Sequence, residues 1–167
     1  MHDEEKQRSY ELAEKLISEQ NFSAAVFAGA VATLLAAVAY GIIVAQWSFS
    51  YGFAAAGIGI VIGISMQYLG RGISMKFGAV ATVYTIAGCL LGNLFRVIVE
   101  QVRGTGASPI DLLRNSSLST LAEWSVTYVS LIDLVYWFVA VFAAVFLARR
   151  PLSRAQRLAI GLLEMRA

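Results

Sequence analysis

The feature that most constrains the fold of this chain is a long uncharged segment near its N-terminus. Residues 20–70 contain no Asp, Glu, Lys or Arg. A hydrocarbon core ~30 Å thick takes roughly 20 helical residues per crossing, so this segment is long enough for two crossings. The whole chain of 167 residues is 58% hydrophobic and 14% charged, with a mean hydropathy of +0.67. These values lie outside the usual range of soluble domains and indicate an integral membrane protein.

Four apolar segments are each long enough to cross a bilayer. Backbone polar groups in lipid must be satisfied within the segment, and these segments are too long and too uniformly apolar for barrel strands, so each is expected to be a helix. The predicted fold is therefore an all-α membrane protein with four transmembrane helices in an antiparallel bundle. The predicted spans cover residues 22–45, 51–69, 77–99 and 126–147, with an outer loop over residues 101–125.

Short amphipathic helices are predicted at both ends of the transmembrane domain, which covers residues 22–149. Residues 1–21 carry six acidic and three basic side chains, whereas residues 150–167 are basic and begin with a capping-box pattern at Ser153 and Gln156. Within the outer loop, Ser108 followed by Pro109 predicts a helix over residues 109–114. Thr120 and Glu123 form another capping-box pattern, which predicts that the fourth helix begins near residue 121.

The distribution of Lys and Arg predicts the orientation of the chain. With both termini in the cytoplasm, ten of these residues lie on the inner side, and only Arg96, Arg103 and Arg114 lie on the outer side. Inner loops of membrane proteins are enriched in Lys and Arg. We therefore expect a multi-pass protein of the cytoplasmic membrane with both termini inside, where the acidic N-terminal and basic C-terminal helices associate.

Small residues recur at every fourth position in three of the spans. Without a hydrophobic force between helices in lipid, close backbone approach at small residues is what makes a tight helix interface. This pattern favours packing within the bundle, and a seam between copies of the chain is the alternative. The predicted helix-packing residues are Gly29, Gly41, Gly59, Gly63, Gly88 and Gly92.

The segment "SLIDLVYWFVAVFAAVFLARR", residues 130–150, holds a single carboxylate, Asp133. A charged residue near the middle of a membrane helix costs roughly 2.5–3.5 kcal/mol unless it meets a partner or water. If the helix enters lipid near Val126, Asp133 lies about 10 Å below the surface, at a depth that Arg96 and Asn93 of the third span also reach. We predict a polar clamp of Asp133, Arg96 and Asn93. A carboxylate that reaches the outer headgroups, or one that handles protons or ions, remains an alternative.

A resemblance follows from the order of four segments: "AAAGIGIVIGISMQYLGRG", "FGAVATVYTIAGCLLGNLF", "SPIDLL" and "IDLVYWFVAVFAAVFLARRPLS". Together they resemble a family of small bacterial inner-membrane proteins of unknown function. In that family a Gly-rich helix hairpin precedes a final transmembrane helix with the pattern D-L-x-[FY]-x-x-x-A, which Asp133, Leu134, Tyr136 and Ala140 match. The resemblance spans residues 50–152 and implies a bacterial origin and an inner-membrane location, without an activity. Some members carry a cysteine-rich zinc-binding segment in front, where this chain has an acidic helix.

No catalytic, cofactor-binding or metal-binding pattern stands out. The chain has one histidine, His2, and one cysteine, Cys89, so no zinc ligand set or Ser-His-Asp triad is expected. The run "GIGIVIG" lies inside an apolar span, which is unlike a phosphate-binding loop. We therefore expect no cofactor and no nucleic-acid partner. The expected partners are membrane lipids, other membrane proteins or a second copy, with a lipid or partner surface at Arg149, Arg150, Arg154 and Arg157.

Three functional hypotheses follow. The leading one is a non-enzymatic accessory or scaffold protein of the bacterial cytoplasmic membrane that belongs to a larger complex. The alternative is a small oligomeric transporter or channel component that uses Asp133. A third is a membrane enzyme whose site lies in the outer loop at Asp111, Arg114 and Glu123, although their spacing specifies no reaction.

Overall fold

A computed structural model of the chain describes residues 3–46, 52–127 and 129–164. The described residues form eight α-helices and contain no β-strand. In chain order these are α1 (Asp3–Ser18), α2 (Phe22–Gln46), α3 (Gly52–Gly70), α4 (Met75–Thr105), α5 (Pro109–Asn115), α6 (Leu118–Val126), α7 (Leu131–Leu147) and α8 (Arg154–Glu164). The expected all-α class is confirmed.

Three helices are long and apolar enough to cross a membrane. The qualifying segments are Phe22–Val44 in α2, Phe53–Gly70 in α3 and Met75–Thr105, which is all of α4. Helix α7 has 17 residues, about 25 Å at the rise of an α-helix, and it meets the same criterion only together with α6. These two helices are bent by 91° relative to each other. The chain is thus a membrane protein with three apolar candidate spans, and two helices share the predicted fourth span.

Helices α6 and α7 each begin at a serine N-cap of their own, and the C-cap of α6, Thr127, has an extended backbone conformation. Ser117 caps α6, because its hydroxyl accepts a hydrogen bond from the Thr120 backbone N–H at 3.2 Å. Ser130 caps α7 in the same way. The prediction that one helix begins near residue 121 and continues through the apolar run is therefore wrong. The helix predicted over residues 109–114 is confirmed as α5, with Ser108 as N-cap and Pro109 in the first turn.

The long helices pack in a ring in which α2 contacts α3, α3 contacts α7, α7 contacts α4 and α4 contacts α2. Helices α3 and α4 also contact each other across the ring. The largest fully buried side chains come from α3 and α4: Ile58, Ile62, Met66, Thr85 and Cys89. Large apolar side chains also point outward, for example Phe27 and Phe53, which are 72% and 75% exposed. Apolar surface on both the inside and the outside of a bundle is typical of helices in lipid.

Three chain connections meet at one end of this ring, which we call the connection end (residues 19–21, 70–74 and 148–153). Asn21 N donates a hydrogen bond to Gly70 O at 2.9 Å, and Ile73 N donates to Gln20 Oε1 at 3.2 Å. The Arg150 backbone N–H donates to Gly72 O at 2.8 Å. These bonds join the α1–α2, α3–α4 and α7–α8 connections to one another.

The terminal helices α1 and α8 pack against each other, as expected from their opposite charges. Their buried side chains are small or apolar: Ala13 and Leu16 on α1 and Ala159 on α8. The predicted capping box at the start of α8 is present, since Ser153 N donates to Gln156 Oε1 at 2.9 Å and Gln156 N donates to Ser153 Oγ at 3.3 Å. Apolar burial between the two helices therefore accompanies their charge complementarity.

Candidate functional site

The Asp133 carboxylate bonds to Ser130 at the start of its own helix. Its Oδ2 accepts hydrogen bonds from the Ser130 backbone N–H and hydroxyl, both at 2.8 Å, while Ser130 Oγ accepts from Asp133 N at 3.3 Å. This is a capping box, in which the two residues satisfy backbone N–H groups that have no partner within the helix. Asp133 therefore lies in the first turn of α7, rather than several residues inside a continuous span.

Arg96 pairs with Glu100, which lies one turn further along α4. The Nε–Oε1 distance is 2.9 Å, and the side chains are 12% and 39% exposed. The ion pair predicted between Arg96 and Asp133 is not present among the described residues, because Arg96 pairs with Glu100 and Asp133 bonds to Ser130. The physical reason is that the break before α7 puts Asp133 in a helix terminus, where Ser130 supplies donors directly.

Asn93, the third residue of the predicted clamp, does connect two helices. Its Nδ2 donates to the carbonyl oxygens of Ser125 at 3.0 Å and Thr127 at 2.7 Å, at the end of α6. The last carbonyls of a helix have no partner within the helix, so a buried amide is well suited to satisfy them. Asn93 is 5% exposed. The α4 side of the clamp is therefore present, but it binds α6 backbone and not Asp133.

The six glycines that the sequence predicts at helix interfaces all lie close to another helix. Gly59 and Gly63 on α3 face the backbone of Ala140 and Ala144 on α7, so closely that a Cβ atom would collide with it. Each of the other four faces a side chain across α2, α3 and α4: Gly29 with Tyr84, Gly41 with Phe95, Gly88 with Ile58 and Gly92 with Tyr40. These contacts favour packing within one chain over a seam between copies.

The four arginines of the predicted lipid or partner surface have different surroundings. Arg150 forms an ion pair with Glu19, with an NH1–Oε2 distance of 2.9 Å. Arg149 contacts only uncharged acceptors among the described residues, Met75 Sδ at 3.0 Å and Val145 O at 3.4 Å. Arg154 and Arg157 on α8 are exposed. Arg150 thus helps to hold the connection end together, and the other three remain available to an external anion.

The residues considered for an outer-loop enzyme form no ion pair with one another in the described structure. Asp111 and Arg114 lie on α5 and Glu123 lies on α6, and all three are exposed. Among the described residues, no group of three or more His, Cys, Asp or Glu side chains is arranged to hold a metal ion. No protein-family model, curated protein or solved structure matches this chain. Inference about function therefore depends on the geometry of the connection end and of the α1–α8 pair.

One signal for the break before α7 is present in the sequence. Ser130 and Asp133 have the spacing of a capping box and directly precede an apolar run, which is a pattern typical of a helix start. The interactions of Asn93 had no comparable signal, because its partners lie 32 and 34 residues away and are backbone atoms.

Proposed function

We propose that this protein is a non-enzymatic accessory or scaffold protein of a bacterial cytoplasmic membrane. In this proposal α2, α3, α4 and the α6–α7 segment make four crossings, and the α1–α8 pair lies in the cytoplasm as a docking surface for another membrane protein. The observation that carries it is that α1 and α8 pack together and that the Glu19–Arg150 ion pair joins the two connections next to them. The bacterial origin is supported by the sequence resemblance alone.

Contacts between helices support the antiparallel arrangement of neighbours. Gly29 lies beside Met66 and Ala25 lies beside Gly70, so residue numbers rise along α2 as they fall along α3. Helices α4 and α7 also run in opposite directions, because Met75 contacts Arg149 and Gly78 faces Val145. Such pairs are expected when each helix returns across the membrane.

The orientation with both termini inside is supported by the position of basic residues. Arg71, Arg149 and Arg150 belong to the connection end, and Lys76 lies two residues beyond it in the first turn of α4. The positive-inside tendency assigns such an end to the cytoplasm. The exposed acidic side chains of α1, which include Glu4, Glu11 and Glu14, are then accessible to cytoplasmic segments of a partner.

The alternative, a transporter or channel that uses Asp133, has less support. The Asp133 carboxylate is bound by Ser130, and buried hydroxyls of the helices are satisfied locally: Thr33 donates to Gly29 O at 2.7 Å and Thr85 to Ala81 O at 2.8 Å. Because each hydroxyl donates to a carbonyl of its own helix, these groups do not form a continuous polar pathway for protons or ions across the bundle. Well-packed apolar contacts between α2, α3 and α4 are what a static anchor requires.

The proposal is tested by affinity purification of the tagged full chain from its native membrane in mild detergent. We expect a stoichiometric partner with the native chain, and its loss from the α1 variant Glu11→Lys/Glu14→Lys. The matched control is Asp111→Lys/Glu123→Lys, which reverses two exposed charges on α5 and α6 and should retain the partner. Purification without any partner, together with a flux in proteoliposomes that Asp133→Ala abolishes, would instead establish the transporter.

A further inference from the structure

A cleft of about 420 Å³ opens at the connection end, between the start of α2 and the start of α4. Its walls are Gln20, Phe22, Ser74, Lys76 and Phe77. We infer that this cleft binds the phosphate of an anionic phospholipid, with Lys76 and Ser74 at the headgroup and Phe22 along the first part of an acyl chain. The inference does not depend on the scaffold role, because it requires only that α2 and α4 are membrane helices.

Two of the polar side chains of the cleft, Lys76 and Ser74, can bind a ligand. Lys76 is exposed and forms no ion pair with any described residue, and the Ser74 side chain makes no capping hydrogen bond although it stands at the N-cap of α4. Gln20, in contrast, is held in place, since its Oε1 accepts from Ile73 N at 3.2 Å. The cleft therefore offers one cation and one hydroxyl to a ligand, next to a fixed neutral wall.

The aromatic wall of the cleft consists of one half-exposed ring and one buried ring. Phe22 is 45% exposed, and its ring meets the buried ring of Phe77 edge-to-face with centroids 5.5 Å apart. Edge-to-face pairs stabilise a fixed ring geometry. An apolar surface next to a cation, at the end of apolar spans, matches the junction of a phospholipid headgroup with its chains. A free phosphate ion would leave this wall unused.

The charge around the cleft also favours an anion. The connection end contains three arginines, Arg71, Arg149 and Arg150, and a single acidic residue, Glu19, whose carboxylate is already paired with Arg150. With Lys76, the neighbourhood thus has an excess of positive charge. Basic residues at the cytoplasmic end of membrane helices attract anionic lipid headgroups.

The test uses the full chain in a neutral maltoside detergent, with native mass spectrometry after addition of dioleoyl-phosphatidylglycerol or dioleoyl-phosphatidylcholine. We expect the native chain to retain phosphatidylglycerol preferentially, and Lys76→Glu to lower that retention at least about fivefold. This variant is expected to fold, because an acidic residue in the first turn of a helix is favourable. Arg114→Glu, which reverses an exposed charge on α5, is the matched control and should bind like the native chain.

Two further variants separate a lipid from a free anion. Ser74→Ala and Phe22→Ala should each lower retention of phosphatidylglycerol, and inorganic phosphate should not displace the lipid. Equal retention by Lys76→Glu and Arg114→Glu would overturn the assignment of the cleft. Displacement of the lipid by inorganic phosphate, with no effect of Phe22→Ala, would show a simple anion site and would also overturn it.

Discussion

At the residue scale, the Asp133 carboxylate accepts two hydrogen bonds from Ser130, while the Ser130 hydroxyl accepts one from the Asp133 backbone. All three bonds lie within one helical turn. A charged group in an apolar run is therefore accommodated by the end of its own helix, without a partner on another helix. Asp133 therefore requires no ion pair with Arg96, whose guanidinium pairs with Glu100.

This geometry predicts which residue is energetically coupled to Asp133. Ser130→Ala and Asp133→Ala should each lower the free energy of unfolding by ~1 kcal/mol, the usual value of an N-terminal cap. The double variant should lose less than the sum, because either change alone removes the capping box. The measurement is unfolding of the full chain in mixed micelles.

Arg96 provides the control for this prediction. Arg96→Gln combined with Asp133→Ala should be additive, because the two side chains have different partners. Clear coupling between Arg96 and Asp133, with none between Ser130 and Asp133, would restore the pair predicted from the sequence.

Two glycines of α3 provide a second prediction at this scale. A Cβ at position 59 would collide with the backbone of Ala140, whereas a Cβ at position 57 meets no atom within 4 Å. Gly59→Ala should therefore destabilise the chain by about 1–3 kcal/mol, as overpacking does. Gly57→Ala should be neutral or stabilising, because alanine has the higher helix propensity. Thermal unfolding in detergent compares the two, and equal effects would contradict the α3–α7 contact.

At the element scale, Asn93 links the middle of α4, the longest of the described helices, to the short α6. Helix α4 has 31 residues and α6 has 9, so α6 contributes little stability by itself. Two hydrogen bonds from a single buried amide fix the end of α6 against α4. The chain then turns through Thr127 to the cap of α7, so the position of α7 also depends on this contact.

Asn93→Ala is predicted to loosen α6. The carbonyls of Ser125 and Thr127 would lose their donor, and a buried unsatisfied polar group costs about 1–3 kcal/mol. Hydrogen exchange should accelerate in residues 118–126 and remain unchanged in α2. Asn115→Ala, a change at an exposed asparagine at the end of α5, is the control. Unchanged exchange in α6 would show that its position does not depend on Asn93.

At the scale of the whole molecule, the connection end brings α1, α8 and the α3–α4 turn to one side of the helix ring. In the proposed four-crossing arrangement, α2 begins and α7 ends at this side, so that both termini lie on the same side of the membrane. The excess of basic residues at this end is the basis for proposing that it faces the cytoplasm. Lipid binding at Lys76 and partner docking at α1 would both take place on that side.

Reporter fusions test this topology. A reporter that is active only in the periplasm should be silent when it follows Ala167 and active when it is inserted near Gly106, which lies between α4 and α5. The basis is the ten-to-three distribution of Lys and Arg. Activity at both positions would indicate an odd number of crossings, and the reverse pattern would place the connection end outside.

Properties that act over a few neighbouring residues were determined by the sequence itself. The three apolar spans follow from length and hydropathy, and the starts of α5 and α8 follow from caps at Ser108 and Ser153. The error at Asp133 was also local. The depth estimate assumed one helix from Val126 onward, although Ser130 and Asp133 already had the spacing of a helix start.

Contacts between distant residues were decided only by the tertiary structure. Nothing local pairs Asn93 with carbonyls more than 30 residues away, or selects Arg150 among the arginines as the partner of Glu19. Gly57 and Gly59 are equivalent as small residues in an apolar helix, yet only Gly59 touches α7. The physical reason is that such contacts depend on the rotation and crossing of packed helices, and hydropathy is almost the same on every face of a helix in lipid.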